Sequence, residues 1–247
     1  MTAFSTTRQY KLDKSQDYGY LTGGLSLAPS NGAALAGYSD IPTTCAMAGA
    51  CGPVCLQFAG MNNMTTHKDV RIQRTVALFR NREATLAQLD REIQNGAKRA
   101  AAKGWGYAFR PNLLSDLPWL GMMLAKRNPN VQFYDYTKIP KPWQRVQPNY
   151  HLTFSYSERS TWDDVRECFD HGINVAIVFA VRKGEPLPTI YRGTKELRLR
   201  DIPIINGDLH DLRFKDPVGH LVALGFKGGR AKMDAAVKGC FALPAPD

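Results

Sequence analysis

Residues 151–181 read HLTFSYSERSTWDDVRECFDHGINVAIVFAV, and this stretch decides the fold class. Two short apolar runs, His151–Tyr156 and Val175–Val181, lie on either side of a segment, Trp162–Phe169, that ends just before Gly172. Apolar strands that alternate with helical segments are typical of a parallel sheet whose two faces are both covered. We therefore predict that the segment is a crossover helix between two parallel strands.

The same alternation extends along most of the chain, whose 247 residues are enough to bury a full core. Five further apolar runs have the length of strands: Leu21–Leu27, Tyr107–Leu114, Val131–Tyr136, Ile202–Ile205 and His220–Phe226. The strongest helical pattern lies between the first two of these, where Leu86, Leu89 and Ile93 form one apolar stripe. The chain is therefore predicted to be one α/β domain over residues 1–247, a (β/α) barrel-like fold, complete or partial, with mostly parallel strands. Residues 1–20 are predicted to be a polar N-terminal arm.

The composition is that of an ordinary globular protein, since 44% of the residues are hydrophobic and 22% are charged. No apolar run approaches the roughly 20 residues that span a bilayer, so no membrane partner is predicted. Residues 1–20 have no apolar stretch after their charges, which predicts that there is no secretory signal and that the protein is cytoplasmic. The net charge of +10 favours a nucleotide or nucleic acid as partner, although a merely basic, solvated surface gives the same charge.

Three of the five cysteines lie close together in CAMAGACGPVC, as Cys45, Cys51 and Cys55. They belong to a loop over residues 28–60 that follows the first strand, and a loop of this length in a compact domain is usually functional. In a reducing compartment such a group of thiols indicates a metal site rather than disulfides. Clusters that only carry electrons normally take four thiolates, so three thiolates predict a [4Fe-4S] cluster with one iron open to S-adenosylmethionine or substrate.

Two other interpretations of the cysteines remain open. Zinc would need a fourth ligand, from Cys168, Cys240 or a histidine such as His67, and the C-x5-C-x3-C spacing is wider than the usual zinc pairs. Without a metal, the thiols would be small buried hydrophobic groups. We predict that state for Cys168 and Cys240, which lie alone in apolar settings.

Polar side chains follow several of the predicted strands at the points where the strands end. The residues are Asn112, Ser115 and Asp116; then Asp135, Tyr136 and Lys138; then Ser155; and finally Asp208, Asp211 and Arg213. In a parallel α/β fold, ligands bind outside the carboxyl ends of the strands. These groups therefore predict one shared pocket, although loops are polar for other reasons as well.

Several motifs of the sequence occur together in a family of phage proteins. In chain order they are TCAMAGACGPVC, VRIQRTVALFRNREATLAQL, SDLPW, VQFYDYTK, NYHLTFSYSE, NVAIVF, INGDLHDLRFKDP and LGFKGG. From about residue 25 to residue 230, the chain resembles the family named for gene product eighty-eight of mycobacteriophages. The resemblance implies a bacteriophage or prophage origin, and therefore the cytoplasm of the host cell.

More loosely, the order of one strand, a cysteine loop, a helix and further β/α units is similar to that of the radical S-adenosylmethionine enzymes. The sequence departs from their C-x3-C-x2-C spacing and has no Gly-Gly-Glu string after the second strand. The resemblances imply that Cys45, Cys51 and Cys55 ligate the cluster and that the strand-end residues face it. The predicted catalytic residues, which position ligand or move protons, are Asp116, Tyr136 and Lys138. The predicted cofactor-binding residues are Asn112, Ser115, Asp135, Ser155, Asp208, Asp211 and Arg213.

The predicted function is accordingly that of a phage iron–sulfur enzyme of the radical S-adenosylmethionine type, acting on a nucleotide or nucleic acid. The alternative is a non-enzymatic iron–sulfur or zinc protein that binds nucleic acid in phage replication. The positive charge and the missing Gly-Gly-Glu string favour this alternative, and a basic patch, KELRLR at residues 195–200, would suit it. A third hypothesis is an iron–sulfur enzyme whose open iron acts as a Lewis acid on a small substrate.

Overall fold

The computed structural model describes residues 4–6, 13–58, 60–182, 184–192 and 201–244, and its centre is a large, mostly parallel β-sheet. The strands are β1 (Ser5–Thr6), β2 (Tyr20–Leu25), β3 (Gly106–Arg110), β4 (Gln132–Thr137), β5 (Tyr150–Ser155), β6 (Val175–Phe179), β7 (Ile190–Tyr191), β8 (Ile202–Asn206), β9 (Leu221–Gly225) and β10 (Ala242–Leu243). Their spatial order is β1-β2-β3-β4-β5-β6-β9-β8-β7, and β10 also pairs with β6. The seven strands from β2 to β8 in this order pair in parallel, whereas β1 and β7 add antiparallel edges.

The predicted α/β class with a mostly parallel sheet is confirmed, but the barrel is not. Each of the seven predicted apolar runs overlaps with one of the seven parallel strands, with ends that agree to within a few residues. However, β9 pairs with both β6 and β8, so the strand order no longer follows the chain order after β6, as it does in a (β/α) barrel. Within the described residues the two edges of the sheet do not pair with each other, and the sheet stays open.

Six α-helices accompany the sheet in the described part of the chain. They are α1 (Gly32–Leu35), α2 (Thr65–Arg80), α3 (Arg82–Ala101), α4 (Pro118–Arg127), α5 (Trp162–Asp170) and α6 (Arg230–Lys238). The predicted crossover helix is present as α5, which begins at a reciprocal cap: the backbone N–H of Asp164 donates to the Thr161 side chain, and the Thr161 N–H donates to the Asp164 carboxylate.

The hydrophobic core has two main parts, one under each half of the sheet. In the first, the predicted stripe of Leu86, Leu89 and Ile93 on α3 is fully buried and packs with residues of α2, α4 and β2 to β5. In the second, Val165 and Cys168 of α5 pack with residues of β5, β6, β8 and β9. Each fully buried leucine or valine side chain contributes about 1.5–3 kcal/mol, so the two cores fix the strands whose ends carry the polar groups.

Residues 207–216, which follow β8, run back to strands on the far side of the sheet; we call them the bridging segment. Asp211 of this segment forms a 2.8 Å ion pair with Arg110 at the end of β3 and accepts a 3.2 Å hydrogen bond from the Tyr136 hydroxyl of β4. Four strands separate β8 from β3 in the sheet. In the described chain, side chains of the bridging segment therefore connect the two halves of an open sheet.

Within the predicted N-terminal arm, the described residues lie against the sheet. Ser5 and Thr6 pair with β2, and residues Lys14–Tyr18 form a short 3₁₀ helix that leads into β2. Residues 1–3 and 7–12 of this arm lie outside the described part of the chain. Among the helices that the structure describes, none has the length and apolar character that crossing a membrane requires.

Candidate functional site

A cavity of about 670 Å³ opens at the C-terminal ends of the parallel strands. One wall is the cysteine loop, and the others are the ends of β3, β4, β5, β6 and β9. Ten of the thirteen predicted site residues line it: Cys45, Cys51, Cys55, Asn112, Ser115, Asp116, Tyr136, Lys138, Ser155 and Asp208. The other three, Asp135, Asp211 and Arg213, are not part of its lining.

The first cysteine of the cysteine loop is fixed to the segment that follows β3. Cys45 forms an isolated parallel bridge with Asp116, whose backbone N–H donates to the carbonyl oxygen of Thr44 at 2.8 Å. The thiol of Cys45 accepts a 3.3 Å hydrogen bond from the backbone N–H of Ser30. Cys45, the first predicted ligand, is therefore held directly beside Asp116, a predicted catalytic residue.

All three thiols are free and partly buried. Burial raises the pKa of Cys45 and of Cys55, against the pull of the Ser30 N–H on Cys45 and of Lys138 and Arg71 on Cys55. The charge of Cys55 also raises the pKa of Cys45, and that of Cys51 raises the pKa of Cys55. A metal that binds here has to displace the thiol protons.

Within the described chain, no three His, Cys, Asp or Glu side chains are grouped closely enough to hold one metal ion. A cubane cluster binds one thiolate on each iron, so its sulfur donors stand apart on one wall instead of meeting at one atom. Of the zinc alternatives, Cys168 is buried in the second core as predicted, whereas the prediction of a buried Cys240 is wrong, since Cys240 is exposed, as is His67. All three lie outside the cavity lining.

Asp116 and Lys138 join the loops after β3 and β4 at the cavity. The Asp116 carboxylate accepts a 2.8 Å hydrogen bond from the backbone N–H of Lys138. Burial raises the pKa of Asp116, although this hydrogen bond and one from the Thr137 side chain act in the opposite direction. The Lys138 ammonium lies 5.4 Å from the ring centre of Phe241. The site therefore offers one carboxyl group and one amine next to Cys45 and Cys55.

Asp135 lies behind the cavity wall and supports it. Its two carboxylate oxygens accept hydrogen bonds from the Asn112 backbone N–H (2.9 Å), the Asn112 side-chain amide (2.8 Å) and the Tyr150 hydroxyl (3.0 Å). Asn112 in turn accepts from the hydroxyl of Ser115 at 2.8 Å and from the N–H of Leu117 at 3.0 Å. Asp135 thus sets the shape of the loop that presents Asn112, Ser115 and Asp116. Burial raises its pKa to about 7, although the nearby Arg110 acts in the opposite direction.

We expect the variant Asp135→Asn to gain stability relative to the wild type as the pH rises from about 4 to about 7. The unfolded carboxyl loses its proton near 3.8, whereas the folded one keeps it to about 7. The free energy of unfolding of the wild type therefore falls by up to about 1.4 kcal/mol per pH unit in this window, and the variant lacks this term. Urea denaturation of both proteins, without metal, at about pH 4.5, 5.5 and 6.5 measures the difference. A difference independent of pH would show that Asp135 is ionised throughout.

Asp211 and Arg213 are structural residues of the bridging segment. The Arg213 side chain is 1% exposed, forms a 3.2 Å ion pair with Asp216 and donates to the carbonyl oxygen of His210. Asp211 is held by Arg110, and Arg110 itself lines the cavity. Its guanidinium lies 4.6 Å from the ring centre of Tyr136.

The cations of the cavity wall that sequence reasoning missed include two arginines. Arg110 was hidden inside an apolar run, where a charged residue was itself the available signal. Arg71 is 3% exposed, lines the cavity near Cys55 and donates to the carbonyl oxygen of Asn62 at 2.9 Å. Both add positive charge to the site.

A model of the family described as Gene product 88 matches residues 4–240. No curated protein and no protein of solved structure matches the chain. The match covers nearly the whole chain and confirms the predicted phage family. The predicted similarity to radical S-adenosylmethionine enzymes has no support among these comparisons.

Proposed function

The chain belongs to the gene product 88 family, and we propose that it is an iron–sulfur enzyme of the radical S-adenosylmethionine type that acts on a nucleotide or nucleic acid. The observation that carries the proposal is the single cavity that Cys45, Cys51 and Cys55 share with five strand ends of a parallel sheet. Enzymes on parallel α/β sheets bind their ligands at this end of the sheet. Three thiolates on a cluster leave one iron for a ligand in the same cavity.

In this proposal, Cys45, Cys51 and Cys55 would hold a [4Fe-4S] cluster, which would supply the electron for reductive cleavage of a carbon–sulfur bond in S-adenosylmethionine. Lys138 provides a positive charge for a carboxylate or phosphate. Asp116 accepts a hydrogen bond from an amine or a hydroxyl group, and it is the residue best placed to move a proton. Asn112, Ser115 and Ser155 offer neutral polar contacts along the same wall.

The rest of the cavity suits a ligand that is both apolar and anionic. Its apolar wall includes Leu113, Val178 and Phe226, against which a base can pack while water is excluded. The charged residues of the lining are Lys68, Arg71, Arg110, Lys138 and Lys227 on the positive side and Asp116 and Asp208 on the negative side. Arg110 is paired with Asp211, and Lys227 is paired with Asp208. The remaining excess of cations, in a chain of net charge +10, favours phosphate-bearing substrates.

The experiment is anaerobic reconstitution with iron and sulfide, followed by incubation with S-adenosylmethionine and dithionite. We expect 5′-deoxyadenosine to form, with mass spectrometry as the readout, and we expect none without dithionite. The Cys45→Ala protein, treated in the same way, is the matched control. A protein that carries its full iron content but forms no 5′-deoxyadenosine, with or without added nucleotides or DNA, would contradict the proposal.

A second candidate function is nucleic-acid binding without chemistry, with the metal as a structural element. The net charge of +10 and the departure of the cysteine spacing from C-x3-C-x2-C favour it. The basic patch at residues 195–200 lies outside the described residues. Tight DNA or RNA binding that weakens steeply with salt, together with no cofactor cleavage, would favour this candidate over the enzyme.

A further inference from the structure

Glu158, which lies between β5 and α5, reaches across to the cysteine loop. Its Oε1 atom accepts a 3.0 Å hydrogen bond from the backbone N–H of Ala50. A Cβ atom on Gly49 would overlap with the same oxygen. The carboxylate therefore occupies the space that a side chain at position 49 would take, so a side chain there would have to displace it.

The turn that carries Glu158 is closed by hydrogen bonds of its own. Ser157 donates its backbone N–H to the Ser160 hydroxyl at 3.1 Å, and the N–H of Ser160 donates to the Ser157 carbonyl oxygen at 2.9 Å. Thr161, the next residue, is the cap of α5. Glu158 is consequently presented from a helix start that is fixed in the second core.

The Glu158 carboxylate loses most of its exposure to solvent where it contacts the cysteine loop. The Glu158 side chain is 21% exposed, and its Oε2 atom is shielded from solvent and has no hydrogen-bond partner among the described residues. Burying part of a charged group is unfavourable unless it gains partners. Oε1 has two, the Ala50 N–H and, at 3.9 Å, the guanidinium of the neighbouring, exposed Arg159. The contact is thus directed at the cysteine loop.

Gly49 and Ala50 lie immediately before Cys51, and the Cys45 end of the loop is anchored separately by Asp116 and Ser30. We propose that Glu158 is a positioning residue that holds the segment from Cys45 to Cys51 in the shape from which its thiols ligate a metal centre. The ligation rests on the proposed function, whereas the hold on the loop does not. Glu158 acts through the backbone of Ala50 and contacts neither thiol in this role.

Hydrogen exchange of the Ala50 amide in the full-length, metal-free protein tests the hold directly. Losing a hydrogen bond to a charged acceptor should accelerate exchange by about tenfold or more. We expect this in Glu158→Ala and in Gly49→Ala, whose methyl group would displace the carboxylate. We expect Glu158→Gln to exchange like the wild type, because its amide oxygen still accepts from Ala50. Amides of β4 and β6 should be unchanged in all variants, which separates a local effect from general destabilisation.

Two controls sharpen the test. Arg159→Gln removes the neighbouring exposed charge and should leave the Ala50 amide protected. The double variant Glu158→Ala/Gly49→Ala should exchange no faster than either single variant, because both changes remove one and the same contact. After reconstitution, iron retention should fall in Glu158→Ala and Gly49→Ala and stay at the wild-type level in Glu158→Gln and Arg159→Gln.

Wild-type protection of Ala50 in Glu158→Ala would overturn the proposal. So would iron retention at the wild-type level in both Glu158→Ala and Gly49→Ala. If no variant, nor the wild type, binds iron while the exchange pattern is as expected, the proposed function fails and the hold of Glu158 on the loop is supported.

Discussion

Replacing any one of Cys45, Cys51 and Cys55 by alanine is expected to abolish iron binding and the brown colour of the anaerobically prepared protein. With two thiolates left, the cluster would lack a ligand on a second iron, and the loop would lose the group that orders it. The loss should therefore be complete and should be accompanied by lower solubility. Elemental analysis for iron, sulfide and zinc, together with the absorbance at about 400 nm, measures the effect.

The controls for this result are the two remaining cysteines. Cys168 is buried against β6 and Cys240 is exposed, and neither lines the cavity. Cys168→Ala and Cys240→Ala should therefore keep the iron and the absorbance. If either substitution removes the absorbance, the predicted set of three ligands is wrong. If the wild-type protein contains zinc in place of iron, the assignment of an iron–sulfur cluster is wrong.

The second large effect is expected at the ion pair between Arg110 and Asp211. Their side chains are only 10% and 4% exposed, and the two charges lie 2.8 Å apart. Removal of one partner leaves the other charge buried without compensation, which costs about 3–5 kcal/mol of the free energy of unfolding. We therefore expect Arg110→Ala to lower the urea midpoint severely at neutral pH.

A double variant tests whether the unpaired charge is the cause. Arg110→Met with Asp211→Asn removes both charges and leaves an acceptor for the Tyr136 hydroxyl, so it should recover much of the lost stability. The matched control is the ion pair of Arg80 and Asp40, which has a similar distance of 2.7 Å but is about half exposed. Arg80→Ala should change stability little. Equal losses at the two pairs would mean that burial does not decide the effect.

The sequence was sufficient to predict the strands, the crossover helix and the place of the cysteine loop, because each of these depends on local apolar patterns. It could not predict which polar residue faces the cavity. Asp135 and Tyr136 are neighbours on β4, but Asp135 is turned toward Asn112 and Tyr150 behind the wall, and of the two only Tyr136 lines the cavity. Polarity at a strand end does not tell the two directions apart.

Long-range contacts were also beyond local patterns. Asp211 and Arg213 follow a strand end as Asp208 does, but their partners, Arg110 and Asp216, hold them inside the protein. Glu158 is the last residue of the NYHLTFSYSE motif, but no local pattern indicates its contact with Ala50, which spans 108 positions of the chain. The open sheet has the same origin, since the position of β9 between β6 and β8 is a matter of tertiary pairing.

The position of β9 also means that the sheet can be completed only late in translation. β8 is synthesised before β9, which is its parallel partner in the sheet. β9 also pairs with the edge of β6 that faces away from β5. Until residue 221 has left the exit tunnel, β6 keeps an unpaired edge, which invites pairing with other nascent chains. Chaperone protection during translation would therefore matter most for this late interval, when the cysteine loop has long been made but its cavity still lacks the wall from β9.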